Sequence, residues 1–298
     1  MITDLSTRVA LIPYRLRRLA GSPRVGTWRS QVHGNGLDFD QITTYHARDD
    51  VRRINWAATA RHGGQRIFKN TFFAEREGTV MVLADLSRSM AFGIQRLPER
   101  ALVAEIAACL VYSALHFGDR IGLIGFTDRV ELVYPPRRSI AYLAHLPEAL
   151  LHAPLAGTGT DFVEGFQALS HLRGHAATVF ILSDFHADVA ALRTCLMTAL
   201  RHHDLIPIIL HDPLERRWPR RRGALFVEDL ETGQRRRLYL SASFRREAEA
   251  LATAHHAQLR QLFQELGLPW VVIQQCDDYV RKIAALFTDK TPRSREMT

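Results

Sequence analysis

Oxygen-bearing side chains with a spacing of two residues stand in the segment Asp85-Leu86-Ser87-Arg88-Ser89. Alternate side chains of an extended or looping segment point the same way, so this segment can place one carboxylate and two hydroxyls in a single crevice. Carboxylate and hydroxyl oxygens are hard ligands, which suit Mg²⁺ or Mn²⁺ at an octahedral site and do not suit zinc. The spacing therefore predicts a site for a hard divalent cation.

Two further oxygen donors occur later in the chain, where the same crevice would need them. Thr160 lies in the glycine-rich segment Gly157-Thr158-Gly159-Thr160-Asp161, just before a predicted helix, and Asp184 ends an apolar run. Sites in open parallel sheets form beyond the carboxyl ends of the strands. We therefore expect Thr160 and Asp184 to face the same crevice as Asp85. The alternative is that the aspartates serve only as helix caps and turn formers.

The elements that must position these side chains follow an alternating pattern from residue 79 onward. Apolar runs of strand length alternate with helical segments, and strands that are buried on both faces indicate a parallel sheet with helices on both sides. We predict an α/β fold with a doubly wound, mostly parallel sheet. The predicted strands are 79–86, 120–127, 130–135, 178–184, 204–212 and 269–275, and the predicted helices are about 98–117, 139–150, 161–173, 188–202, 242–266 and 277–288.

Changes in composition along the chain predict its domain organisation. Residues 1–24 form a basic N-terminal arm, and residues 25–78 form a block with few long apolar runs and many turn residues, typical of short strands and turns. Residues 79–288 form the α/β domain. It contains a basic insertion at about 213–241, in which 223–230 and 235–241 predict a β-hairpin. We expect residues 289–298 to be a loose tail.

The composition and the cysteine content restrict the class of protein. With 47% hydrophobic and 23% charged residues, the chain is typical of a globular protein, so we do not expect disorder, collagen or a coiled coil. The first residues lack the apolar core of a signal peptide, and the apolar run 101–117 includes Glu105 and His116, which favours a buried helix. Three scattered cysteines fit a reducing compartment. We therefore expect a cytoplasmic protein. The cysteines are Cys109, Cys195 and Cys276.

The oxygen donors together resemble the metal-ion-dependent adhesion site of the von Willebrand factor type A (vWA) domain. In that family an Asp-x-Ser-x-Ser motif, a threonine from a later loop and a final aspartate hold one divalent cation. Thr160 matches better than Thr158, because the sequence Thr-Asp-Phe-Val-Glu-Gly-Phe is similar to the family's entry from loop to helix. The resemblance implies Mg²⁺ or Mn²⁺ as cofactor, held by Asp85, Ser87, Ser89, Thr160 and Asp184.

The block before this motif resembles a second family signature. The segments 36–40, 49–56 and 60–61, together with Tyr45, are similar to the bacterial family called domain of unknown function 58 (DUF58), which pairs such a block with a vWA domain. Asn55 stands where that family has an aspartate. Within the block, Asp49 and Asp50 can form ion pairs with Arg52, Arg53 and Arg61, and we expect Trp56 to be buried as an anchor. We expect this network to be structural, although a contact face for a partner is the alternative.

The two resemblances imply a recognition module and not an enzyme. In vWA domains a carboxylate from the partner completes the shell of the cation, so the expected partner is a protein with an acidic ligand residue. Members of the DUF58 family look like partners of MoxR-type AAA+ ATPases. The resemblance therefore implies that this chain is an adaptor or co-chaperone for such an ATPase. This chain has no Gly-x-x-x-x-Gly-Lys-Ser/Thr motif, so ATP hydrolysis would belong to another chain. It also has no Gly-x-Ser-x-Gly or His-Glu-x-x-His motif for hydrolysis.

Other functions remain as alternatives. A magnesium-dependent phosphohydrolase usually needs a second aspartate two residues after the first, and here Ser87 stands in that place. The N-terminal arm could contact a membrane surface or a partner, or could be a solvated tail or a helix lying on the body. The basic insertion could bind single-stranded nucleic acid. We do not expect nucleic acid as the partner, because no RRM, KH or helix-turn-helix signature is present. The basic residues concerned are Arg216, Arg217, Arg220, Arg221, Arg222, Arg235, Arg236 and Arg237, with Trp218 among them.

Overall fold

In the computed structural model of the protein, the chain forms two compact units. The smaller unit is Gly21–Glu77, and the larger unit consists of Met1–Ala20 together with Gly78–Thr298. The structure describes residues 9–14, 39–47, 49–63, 66–72, 78–91, 99–153, 156–157, 159–172, 176–211, 223–228, 235–274 and 277–288.

The smaller unit contains an antiparallel strand pair and a short helix. β1 (Phe39–Thr44) pairs with β2 (Phe68–Phe72), and α1 (Trp56–Arg61) lies between them in the chain after a 3₁₀ turn at Val51–Arg53. The Asn55 side chain caps α1, because its Oδ1 accepts from Ala58 N at 2.8 Å while its Nδ2 donates to Asn70 at 2.7 Å. An aspartate could make the cap but could not donate to Asn70.

Two details of this unit differ from the sequence prediction. Trp56 is 67% exposed, so it is not the buried anchor that we expected. It is the first residue of α1, whose buried residues are Ala58 and Thr59. Asp49 pairs with Lys69 on β2 at 2.6 Å, a partner outside the predicted arginine set. Spacing along the chain could not identify this lysine, because the pairing of β1 with β2 brings it close.

The larger unit is built on a six-stranded sheet with the strand order β10-β7-β6-β3-β4-β5. All neighbouring strands are parallel except β4 and β5, which form the predicted antiparallel pair at one edge. The predicted fold class, a doubly wound and mostly parallel α/β sheet, is confirmed. The strands are β3 (Thr79–Asp85), β4 (Arg120–Phe126), β5 (Val130–Arg137), β6 (Thr178–Ser183), β7 (Asp204–Leu210) and β10 (Val271–Ile273).

Helices cover both faces of this sheet, and each face has its own hydrophobic core. Side chains alternate along the central strands, so Val80 and Val82 of β3 belong to one core while Met81 and Leu83 belong to the other. α2, α3 and α7 contribute to the first core, and α4, α5 and α6 to the second. The helices are α2 (Glu99–Phe117), α3 (Ile140–His152), α4 (Phe162–His171), α5 (Val189–Ala199), α6 (Ala242–Glu265) and α7 (Tyr279–Thr288).

Residues 9–14 of the predicted N-terminal arm pack into the first core. Ile12 is fully buried, and its backbone N–H donates to Ser113 of α2 at 2.7 Å. Tyr14 is also buried, and its hydroxyl donates to the buried carboxylate of Asp119 at 2.9 Å. Its ring makes edge contacts with aromatic side chains of α2, β6 and α7. This part of the arm is therefore integral to the larger unit.

One described helix is long and apolar enough to cross a membrane by length and composition. It is the stretch Arg100–Phe117 of α2, and more than half of this stretch is buried inside the fold. Val103, Ile106 and Leu110 are fully buried in the first core. Burial on this scale is typical of a core helix.

The predicted hairpin forms a separate two-stranded sheet. β8 (Ala224–Glu228) pairs antiparallel with β9 (Arg235–Tyr239), and Arg235, Arg237 and Tyr239 alternate as exposed residues along β9. The basic stretch 213–222, the predicted turn 231–234 and the predicted tail 289–298 lie outside the described residues.

Candidate metal site at the carboxyl ends of β3 and β6

The site lies where the direction of strand addition reverses. From β3 the chain adds β4 and β5 on one side, and then crosses to add β6, β7 and β10 on the other side. The connections leaving β3 and β6 therefore diverge, which opens a crevice at the carboxyl ends of these two adjacent strands. Asp85 is the last residue of β3, and Asp184 directly follows β6.

Asp85 is fully buried at the base of this crevice. Its Oδ1 accepts from the backbone N–H of Ser87 at 2.9 Å, and its Oδ2 accepts from the hydroxyl of Ser183 at 2.6 Å. Ser183 is the next position along β6 after Leu182, which pairs with Ala84, so the parallel register brings it beside Asp85. These two bonds hold the carboxylate in one orientation.

The two serines of the motif lie together in the turn after β3. Ser87 is buried, and its Oγ lies 2.9 Å from the Oγ of Ser89. Ser89 opens a 3₁₀ turn that continues to Ala91. Arg88 between them is exposed, as expected for a residue whose side chain points away from its neighbours in the motif. The two serine hydroxyls therefore lie together, whereas Leu86, between Asp85 and Ser87, is fully buried.

Asp184 is 3% exposed and lies in the turn that follows β6. Its Oδ1 accepts from the backbone N–H of His186 at 3.0 Å, and the Nδ1 of the same histidine lies 3.8 Å from Oδ2. Phe185 between them has a φ of 57°, a left-handed conformation that is unfavourable for a bulky residue. The surrounding packing stabilises it, because Phe185 is fully buried and stacks on Phe162 of α4 with ring centroids 5.5 Å apart.

Thr160 is in the loop between α3 and α4. Its Oγ1 is buried and has no hydrogen-bond partner among the described residues. An unpaired buried hydroxyl is costly, so its position calls for a ligand or another explanation. The next residue, Asp161, caps α4 by accepting from Val163 N at 2.8 Å, which places Thr160 directly at the entry to the helix. Thr158, the other threonine of this loop, lies outside the described residues.

The two aspartates share one buried, negatively charged environment. Burial and, to a smaller extent, the nearby charge of Asp184 together raise the pKa of the Asp85 carboxyl to about 7, against the lowering effect of the bonds from Ser183 and Ser87. A buried pair of carboxylates is expensive to ionise without a compensating positive charge. The arrangement therefore favours either a proton or a cation at this position.

The donor set fits a hard divalent cation. The described part of the chain contains no cluster of three or more His, Cys, Asp or Glu side chains that could hold a metal, so any ion here depends on hydroxyl oxygens as well as carboxylates. Two buried carboxylates, two linked serine hydroxyls and one unpaired threonine hydroxyl match that requirement.

Sequence reasoning missed Ser183, which makes the shortest hydrogen bond to Asp85 described above. Ser183 and Asp85 are 98 residues apart, and only the parallel pairing of β3 with β6 brings them together. The available indication was a polar residue at the end of an otherwise apolar run, directly before Asp184. A polar residue at this place is equally common where a strand simply ends. The sequence therefore did not distinguish a strand end from a hydrogen-bond partner of Asp85.

Comparison with known proteins identifies relatives of this chain. The family model described as "Protein of unknown function DUF58" matches residues 41–258. The uncharacterized protein Rv1480 of Mycobacterium tuberculosis is 24% identical over 254 residues, which are 85% of this chain and 79% of the relative.

Two similar solved structures have low sequence identity to this chain. A von Willebrand factor type A structure from Catenulispora acidiphila is 14% identical, with a TM-score of 0.43, and the match covers 75% of this chain and 44% of that one. An aerotolerance-related membrane protein from Bacteroides fragilis is also 14% identical, with a TM-score of 0.42, and the match covers 70% and 98%.

The expectation of a cytoplasmic protein is wrong. It is contradicted by the similar structure from Bacteroides fragilis, which is described as a membrane protein. The expectation relied on the composition and on the absence of an apolar core in the first residues. The composition of a folded domain reports how the domain buries its own core, and it does not report whether the domain is held at a membrane.

Proposed function

Because the chain belongs to the DUF58 family, and because of the geometry at β3 and β6, we propose that it is a metal-dependent protein-recognition module without catalytic activity of its own. The family resemblance predicted from residues 36–61 is confirmed by the family match over residues 41–258. The metal, the partner and the absence of catalysis are parts of the proposal.

The buried pair of carboxylates is the observation that carries this proposal. Asp85 and Asp184 come from adjacent strands, both are almost completely buried, and the charge of Asp184 disfavours ionisation of Asp85. A purely structural pair of aspartates would be more stable if it were neutralised by a basic side chain or replaced by apolar residues. The unpaired Oγ1 of Thr160 supports a ligand at the same edge of the sheet.

Each candidate residue has a defined part in the proposed site. Asp85 and Asp184 supply the negative charge, and Ser87, Ser89 and Thr160 supply neutral oxygens. A bound Mg²⁺ or Mn²⁺ would offer a coordination position to a carboxylate from another protein. Ser183 orients the Asp85 carboxylate through its 2.6 Å bond and is itself held by the backbone N–H of Phe185 at 2.8 Å.

The proposed partner is a protein with an accessible aspartate or glutamate. The net charge of +8 favours encounter with an acidic surface. As the family resemblance implies, we propose a MoxR-type AAA+ ATPase as the associated machine, with this chain as adaptor or co-chaperone. The chain lacks a phosphate-binding Gly-x-x-x-x-Gly-Lys-Ser/Thr loop, so ATP hydrolysis is assigned to the ATPase.

Thermal unfolding of the full chain in Mn²⁺ and in EDTA tests the metal site. A ligand at about one hundred times its dissociation constant stabilises the folded state by about 2.7 kcal/mol, which corresponds to a rise in Tm of roughly 5 °C for a domain of this size. We expect this rise in the wild-type protein, its loss in Asp85→Ala and a smaller rise in Thr160→Val. Equal Tm values for the wild-type protein in millimolar Mn²⁺ and in EDTA would contradict the proposal.

A binding assay with a MoxR-type ATPase from the same organism tests the partner. We expect association in Mg²⁺, loss of association in EDTA, and loss in Asp85→Ala. Association that resists EDTA would place the interface elsewhere on the chain. Binding to an oligonucleotide that is insensitive to EDTA but falls steeply with salt would instead favour a nucleic-acid function for the basic residues.

A further inference from the structure

The Glu131 carboxylate of β5 holds one end of the loop that contains Thr160. Its Oε1 accepts from the backbone N–H of Gly157 at 2.7 Å and from that of Ala156 at 3.1 Å, and its Oε2 lies 3.2 Å from the same Ala156 nitrogen. The hydroxyl of Thr127 also donates to Oε1 at 2.8 Å. One carboxylate therefore accepts hydrogen bonds from two consecutive backbone N–H groups of the loop and from a side chain of the turn after β4.

Thr127 holds the other end of the same loop. Its backbone oxygen accepts from the N–H of Asp161 at 2.9 Å, and the residue is fully buried. The loop from Ala156 to Asp161 is thus attached at both ends to the turn that joins β4 and β5. We call Thr127 and Glu131 the loop clamp. The turn follows the carboxyl end of β4, which is parallel to β3, so the loop clamp lies at the same edge of the sheet as Asp85.

The approach of the loop to the clamp requires a glycine at position 157. A Cβ atom built on Gly157 would overlap the side-chain oxygens of Thr127 and Asp128, whereas a Cβ atom on Gly159 would meet nothing within 4 Å. The two glycines of the loop are therefore not equivalent. Of these two positions, only 157 must lack a side chain for the loop to approach the clamp.

The ionisation of Glu131 is consistent with this role. Partial burial alone would raise its pKa, but hydrogen bonds from Gly157, Thr127 and Ala156 outweigh burial and lower the pKa below its ordinary value. Glu131 therefore remains a carboxylate at neutral pH. Charge-assisted bonds from backbone N–H groups are stronger and shorter than neutral ones, so they restrain the loop effectively.

We propose that Glu131 is a positioning residue for the cation site, acting through the loop clamp to hold the Thr160 hydroxyl in its buried position. The inference rests on the proposed function, because Thr160 is a ligand only if a cation binds. Nothing in the motif of oxygen donors includes Glu131, which lies on the edge strand and is 29 residues away from Thr160 in the chain. Without the clamp, the loop would keep its threonine but would lose the fixed placement of the hydroxyl.

A double-mutant cycle in Mn²⁺ affinity tests this inference. The dissociation constant of Mn²⁺ is measured by electron paramagnetic resonance for the wild-type chain, Glu131→Ala, Thr160→Val and the double variant. Loss of a residue that orients a ligand typically weakens metal binding by roughly 10- to 100-fold. We expect Glu131→Ala to fall in this range and the double variant to be no weaker than the weaker single variant, because Glu131 acts through Thr160.

Matched variants separate positioning from general stability. Glu148→Ala removes an exposed carboxylate from α3 and should leave Mn²⁺ affinity unchanged. Glu131→Gln keeps an oxygen acceptor for the loop and should restore part of the affinity, which also covers the case in which Glu131→Ala does not fold. A lower Tm in EDTA with unchanged Mn²⁺ affinity would overturn the inference, and so would strictly additive effects of Glu131→Ala and Thr160→Val.

The same measurements distinguish failure of the inference from failure of the proposed function. If the wild-type protein binds Mn²⁺ and Asp85→Ala does not, the cation site stands, and only the behaviour of Glu131→Ala decides the role of the clamp. If the wild-type protein shows no Mn²⁺ binding that depends on Asp85, the proposed function and the inference are both overturned.

Discussion

Asp85 is the residue on which the charge of the candidate site depends. Its carboxyl is fully buried and lies close to Asp184, and both factors disfavour the ionised form. The bonds from Ser183 and Ser87 work in the opposite direction but do not cancel burial. At neutral pH this environment makes the ionised Asp85 carboxylate unfavourable in the metal-free protein. A cation beside the carboxylate would compensate for this cost.

The raised pKa of Asp85 predicts a pH-dependent cost in the metal-free protein. Between about pH 4 and about pH 7 the folded protein keeps a proton that the unfolded chain has released, so the contribution of Asp85 to stability falls as the pH rises through this window. In EDTA at about pH 8 we expect Asp85→Asn to be more stable than the wild-type protein by a few kcal/mol. The gain should shrink towards about pH 4.

Urea unfolding at both pH values measures this difference. Glu148→Gln serves as the control, because it makes the same change from carboxylate to amide at an exposed position. In saturating Mn²⁺ the order should reverse, since the wild-type protein gains the binding energy and Asp85→Asn does not. A gain for Asp85→Asn that is the same at both pH values would contradict the raised pKa.

At the scale of elements, the loop between α3 and α4 is placed by contacts with the turn between β4 and β5. Its ends bond to Glu131 and Thr127, and Asp161 then caps α4. The helix lies close to the sheet, since a Cβ atom on Gly165 would lie 3.0 Å from the Phe126 ring. Tertiary contacts therefore restrain both ends of the short segment that contains Thr160.

The two glycines of this loop provide a matched pair of substitutions. Gly157→Ala should destabilise the protein by about 1–3 kcal/mol, because the added methyl group overlaps the side chains of Thr127 and Asp128. It should also weaken Mn²⁺ binding, because the loop must move. Gly159→Ala meets no atom and should leave both quantities almost unchanged. Urea unfolding and Mn²⁺ titration measure the two effects, and equal effects for both substitutions would refute the role assigned to Gly157.

At the scale of the whole molecule, the larger unit is assembled from two separate parts of the chain. Residues 9–14 pack on α2, and the smaller unit, Gly21–Glu77, lies between them and β3 in sequence. Asp119, which precedes β4, accepts from both Tyr14 and Gly78 and so ties the two parts together. Because Asp119 is buried, these two donors take the place of the water molecules that would hydrate an exposed carboxylate.

Removal of one hydroxyl tests this connection. Tyr14→Phe keeps the packed ring but leaves Asp119 with one donor fewer, and bonds to charged groups are worth about 1.5–3 kcal/mol. We expect a loss of stability of this size in urea unfolding. Tyr112→Phe on α2 is the control, because Tyr112 is 47% exposed and its hydroxyl can bond to water. Similar small losses for both variants would mean that the bond to Asp119 contributes little.

Local patterns in the sequence predicted most of the larger unit. The apolar runs at 79–86, 178–184 and 204–212 correspond to β3, β6 and β7, and the end of each run differs from the end of its strand by only one or two residues. This succeeded because a strand that is buried on both faces needs an uninterrupted apolar run, which the sequence displays directly. The spacing of the donors Asp85, Ser87 and Ser89 was also visible in the sequence, because the three residues lie within one turn.

Contacts between distant segments were decided only by the tertiary structure. The bond of Ser183 to Asp85 depends on strand order, the hold of Glu131 on Gly157 depends on the position of an edge strand, and the exposure of Trp56 depends on which face of α1 packs. A pattern along the chain reports which residues prefer burial, but it does not report which of them meet. The sequence by itself therefore determined the strands, the helices and the chemistry of the donors, and the folded arrangement decided their partners, their ionisation and their orientation.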